Sequence, residues 1–276
     1  MKRRAVVIAL AAGLLVGACG RGDDPRSLNN PSKSSSVTTS PKRDPNQRYR
    51  VSTTVLASRG QGPQLCLGGI ADSYPPQCGG IDVAGLDWAA VPDKQSANGT
   101  TWGDATLVGT FDGDTFTLTE PPAPRTEPKQ SKRPDFSPAC DKPEGDPNSD
   151  STALGDLAND PDVVAVWVTE DQKTYNVVVR PGATDRVRTA IRRSFAGLLC
   201  MVERDRPSSA SLRELQARVL AESEGSPLGG VFMAYVDEQR SIVVVGCAIA
   251  DGVSKAWAAE HWGDRVELSG YLEPVA

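Results

Sequence analysis

VVAVWVTEDQKTYNVVV, residues 163–179, returns near the end of the chain as VFMAYVDEQRSIVVVGCAI, residues 231–249. Each stretch sets two runs rich in β-branched and aromatic residues on either side of a short polar turn, the composition of an antiparallel strand pair. Even the turns correspond, Glu170-Asp171-Gln172-Lys173 against Asp237-Glu238-Gln239-Arg240. The segments downstream of the two copies match as well. Residues 184–195 place Val187, Ile191 and Phe195 at helical spacing and lead into an apolar run at 198–202, and residues 253–262 and 266–272 take the same places after the second copy. The pattern predicts two ββαβ units joined by a helix over 211–222, amphipathic through Leu212, Leu215, Val219 and Leu220. Each unit has one sheet face and one helix to cover it. Residues 151–276 are therefore expected to form a single continuous mixed sheet with its helices on one face.

Upstream, residues 121–150 are dense in proline and charge and read as a linker, with Cys140 pinning it to a folded neighbour. Before the linker the period changes to 2. Tyr49, Val51, Thr53, Val55 and Ala57 lie on one side of a strand, and further short strands are expected near 64–67, 81–83, 104–111 and 115–119. Between the last two, Asp112-Gly113-Asp114 supplies the positive-φ residue of a tight hairpin, which accounts for both acids without catalysis. By strand count and spacing, residues 49–120 resemble a small OB-type β-barrel. The whole is an α+β chain of two domains. Barrels of that type often present a strand face to an oligonucleotide or oligosaccharide, but Trp88 and Trp102 are too few for a stacking platform and read as packing residues.

The chain opens with Met1-Lys2-Arg3-Arg4, an uncharged apolar run over 5–18, and Cys19. That run falls short of the roughly 20 residues a membrane span needs, and its basic, apolar and small-residue regions come in the order of an export signal. Leu15-Val16-Gly17-Ala18-Cys19 resembles the lipobox of bacterial lipoproteins, with Val16 where that family most often has Leu. The Ala, Arg, Asp and Val bias is similar to that of exported lipoproteins of high-GC Gram-positive bacteria. The resemblance implies a signal peptide over 1–18, a diacylglyceryl group on Cys19, and a protein on the outer face of the cytoplasmic membrane. Residues 19–48, polar and proline-rich, would then be a tether, and a coil of that length spans roughly 30 Å.

With Cys19 assigned to the lipid, five cysteines remain: Cys66, Cys78, Cys140, Cys200 and Cys247. Outside the cytosol such thiols tend to pair, and an odd number leaves one over. Cys66 with Cys78 closes a small loop. Cys140 with Cys200 is the favoured second pair, leaving Cys247 in an apolar run as a buried thiol; a Cys200–Cys247 bridge is the alternative.

Losing Lys2, Arg3 and Arg4 with the signal takes the formal net charge from −5 to −8. Such a chain is a poor partner for nucleic acid, and membrane attachment would have to come through the lipid on Cys19. One histidine, His261, sits at a helix end, where the helix dipole explains it. No metal site, phosphate-binding loop, catalytic triad or cofactor motif can be assembled, so no catalytic residue is assigned. The expected function is that of a membrane-anchored, non-enzymatic binding module for an envelope protein or polymer. The alternatives are an envelope hydrolase, which needs two carboxylates in one cleft with displaced titration, and solute capture between two lobes.

Overall fold

The structure is a computed structural model that describes residues 43–126, 134–149, 154, 157 and 159–275. The signal, the lipobox and Cys19 lie outside the described residues. The first strands are β1 (Arg48–Ser58), β2 (Gln61–Cys66), β3 (Gly80–Ala84), β4 (Gln95–Ala97), β5 (Thr100–Phe111) and β6 (Thr115–Leu118). Five of them close in the order β1-β2-β3-β6-β5-β1, with β3 and β6 parallel and the other pairs antiparallel. Alternation explains the closure, because Tyr49, Val51, Val55, Leu65, Ile81, Leu107 and Phe116 all turn inward to one core. At the β5–β6 hairpin Gly113 has φ 120°, and the Asp112 carboxylate accepts the Asp114 and Thr115 amides at 3.0 and 2.8 Å.

The later elements are β7 (Val163–Val168), β8 (Thr174–Val179), α1 (Thr184–Arg192), β9 (Leu198–Glu203), α2 (Ser209–Glu222), β10 (Val231–Asp237), β11 (Ile242–Cys247), α3 (Gly252–Trp262), β12 (Val266–Gly270) and β13 (Glu273–Pro274). β7 runs antiparallel to β8 and β9 parallel to it, while β10 and β12 flank β11 in the same senses. The expected continuous sheet is not formed: these are two separate three-stranded sheets. The free side of β9 is taken by Glu144, which exchanges two backbone hydrogen bonds with Leu199. The sheets meet turn against strand instead, where the Glu238 carboxylate after β10 accepts the Val166 amide at 3.1 Å and also binds Ser209 and Arg213 of α2. The Ser208 hydroxyl caps α2, which buries Leu212 and Val219.

Contacts cross the boundary expected near residue 150. β13 pairs with the start of β1, and Ala248, Ile249 and Leu272 belong to the barrel's own core. Two glycines record the closeness. A Cβ on Gly68 would meet the Phe232 carbonyl oxygen at 2.6 Å, and one on Gly229 would meet the Phe111 ring at 2.6 Å; both have positive φ. The described parts of the expected linker are likewise packed, with Ala123 bridged to Thr106, and the Ala139 amide donating to the Asn176 side chain. All described residues belong to one compact unit.

Candidate functional site

The β11–α3–β12 segment is a parallel strand pair crossed by a helix, and its carboxyl end is where such units leave a crevice for ligands. β11 ends at Cys247 and the chain passes through Ile249, Ala250 and Asp251 into α3, while β12 ends at Gly270 before Leu272. Residues 43–49 and β13 complete the wall. Together they enclose a groove of about 530 Å³. Its apolar lining comes from Tyr49, Ile249, Val253, Leu268 and Leu272, and its charged groups are Arg43, Asp44, Asp251, Lys255 and Glu273.

Asp251 organises one side. Its carboxylate caps α3 by accepting the Ser254 amide at 2.8 Å. It also takes a two-pronged hydrogen bond from Arg43, Nε to Oδ2 at 2.7 Å and Nη2 to Oδ1 at 3.0 Å. The same Nη2 donates to the Ser254 hydroxyl at 2.7 Å, and that hydroxyl donates onward to the Pro227 carbonyl at 3.2 Å. Arg43 and the helix amide hold the Asp251 carboxyl down to about 2, and the carboxylate in turn raises the Arg43 guanidinium. Burial pushes the Tyr49 phenol up. Segment 43–49 is further held by Gln47, whose side-chain amide donates to the carbonyls of Arg48 and Val275 at 2.7 and 3.1 Å. The part of the expected tether from Arg43 onward is thus an ordered wall, because its cation finds a partner 208 residues away.

The groove holds three acids, and a carboxylate hydrolase requires two, but the displaced one, Asp251, is displaced the wrong way for a proton donor at neutral pH. The other displaced carboxylates among the described residues, Asp112, Asp160, Asp171 and Glu203, are also lowered, each first by a hydrogen bond it accepts. Among the described residues no cluster of three metal-ligating side chains occurs, and no helix is long and apolar enough to cross a membrane.

The structure joins Cys66 to Cys78 and Cys140 to Cys200, and leaves Cys247 buried as a free thiol. Two disulfides point to an oxidising compartment outside the cytoplasm. Burial pushes the Cys247 thiol up to about 12, and its Sγ lies 3.3 Å from the Ile249 carbonyl oxygen. None of these cysteines lines the groove. His261 stacks on Trp257 with ring centroids 4.1 Å apart in the last turn of α3. Trp102 is buried against Leu56 and Cys66, and Trp88 packs on the barrel core. Sequence reading missed Arg43, Asp251 and Ser254. Asp-Gly-Val-Ser is a readable helix start, but nothing local links it to Arg43. No protein-family model, curated protein or solved structure matches this chain.

Proposed function

We propose that the protein is an extracytoplasmic binding module, attached to the outer face of the cytoplasmic membrane through an acylated Cys19, that holds an envelope protein or polymer without transforming it. The observation that carries the binding reading is the groove at the carboxyl ends of β11 and β12, whose lining combines apolar side chains with charges of both signs. Support for the compartment comes from the two disulfides, and support for the anchor from the lipobox over residues 15–19. Strand order β1-β2-β3-β6-β5 favours an OB-like barrel, and the matching strand senses of β7–β9 and β10–β12 favour a duplicated ββαβ unit.

The test has two arms. In cells, Cys19→Ala should release the protein from the membrane or leave an unprocessed precursor; a mutant still membrane-bound at mature mass removes the anchor. In the groove, Val253→Trp should fill the space it lines and lower recovery of crosslinked partner at least tenfold, while Leu220→Ser, on an exposed face of α2, leaves it unchanged. Equal recovery from both variants removes the groove as the binding site.

A further inference from the structure

The β4–β5 turn is built from Asn98 and Gly99, the one Asn-Gly pair in the sequence, and both residues are exposed. The turn sets Ala97 opposite Thr100, and the φ values of its two residues are 51° and 79°. Tight hairpins of this kind select Asn-Gly because both positions need positive φ. The same pair is open to attack by its own backbone, since glycine has no side chain to crowd the attacking amide. Every other asparagine in the chain precedes a residue that has one. β4 covers only Gln95–Ala97, lies at the edge of the barrel sheet and pairs with β5 alone. One side-chain hydrogen bond reinforces that pair, between the Ser96 and Thr101 hydroxyls at 2.9 Å. So short an edge strand frays locally and frees its turn without unfolding the barrel.

The Arg59 side chain lies against the Gly99 backbone, where a Cβ would collide with it, and makes no ion pair among the described residues. A cation there favours the negative charge that builds up as the Gly99 nitrogen attacks. We infer that Asn98-Gly99 is a self-modifying site, where a neutral two-residue turn becomes an acidic, lengthened one that loosens β4. The Gly99 nitrogen gives its proton to hydroxide and bonds to Asn98 Cγ. The Cγ–Nδ2 bond breaks, and ammonia leaves with a proton taken from water. Water then opens the cyclic imide: cleavage at Cγ gives aspartate at 98, and cleavage at the main-chain carbonyl carbon gives isoaspartate. Nothing is oxidised or reduced. Isoaspartate adds a carbon to the main chain, so the turn no longer sets Ala97 opposite Thr100. Ala97 packs on the cluster of Leu56, Cys66 and Trp102, and Gln95 stands opposite Trp102, so the change reaches that cluster.

The inference is independent of the groove and of the lipid. It is tested by holding the full folded chain in mildly acidic and in mildly alkaline buffer, then labelling isoaspartate with an isoaspartyl methyltransferase and mapping the label by peptide mass spectrometry. Label should accumulate in the peptide containing residue 98, at least tenfold faster in the alkaline buffer. Hydrogen exchange of the β4 amides should rise in step with it. Asn98→Gln should abolish the label and keep β4 protected throughout. Arg59→Gln should slow labelling at least threefold, and Arg59→Lys should keep it near wild type. Label spread along the chain, missing from residue 98, or formed there only in denaturant overturns the site. Label at 98 with unchanged exchange in β4 overturns the loosening. Labelling of Arg59→Gln as fast as wild type overturns the assistance from Arg59.

Discussion

Asp251 does two structural jobs with one carboxylate, and both depend on its charge. Its carboxyl is held at about 2 in the fold and returns to roughly 3.9 when unfolded. Its contribution to stability is therefore complete above pH of about 4 and fades as pH falls toward 2. With its side chain about a third exposed, that contribution is about 1 kcal/mol after screening. Asp251→Asn should accordingly lower stability at pH 7 and narrow the gap to wild type at pH 2.5, as urea unfolding at the two pH values will measure. Cys247 behaves oppositely. Its thiol, pushed up to about 12 by burial, holds almost no thiolate at pH 8, so iodoacetamide should leave it unmodified in the folded protein and label it fully in denaturant.

Among the elements, the disulfides differ in what they brace. Cys66 and Cys78 are 12 residues apart, Cys140 and Cys200 are 60 apart. In the chain-entropy account the longer loop stabilises more, by about 4 against about 3 kcal/mol. Denaturant midpoints of the two double Cys→Ala variants should rank in that order. These elements also mark how far the sequence could be read. β7, β8, β10 and β11 were readable because their residues repeat locally, and the hairpin at Gly113 because one residue type answers one backbone need. The separation of the two sheets was not readable, since it turns on Glu144 reaching β9 and Glu238 reaching Val166, contacts that leave no periodic trace. The groove was hidden for the same reason: its walls come from residues 43–49, 249–255 and 268–274.

At the scale of the whole molecule, the barrel and the last ββαβ segment share a core, so they should unfold together. Leu272, 3% exposed, packs among barrel residues. Leu272→Ala should cost about 2–5 kcal/mol and should shift the barrel's Trp102 fluorescence and the helical circular dichroism by the same amount in denaturant. Gly229→Ala puts a methyl group against Phe111 at a positive-φ site, and a loss of about 1–3 kcal/mol with the same coincidence of probes is expected. Two separated transitions in either variant would show that the shared core does not couple the halves.

The pairing of β1 with β13 also fixes when folding can finish. A ribosome releases Arg48 long before Val275, yet the Val275 amide donates to the Arg48 carbonyl at 2.9 Å and Arg43 waits for Asp251. Domains usually mature in the order of their synthesis. Here the first strand made lacks its final neighbours until the last residues emerge, so a polypeptide stalled before Leu272 keeps an unfinished barrel. Delayed completion of this kind makes truncations near the carboxyl end reach the first strand as well as the last segment.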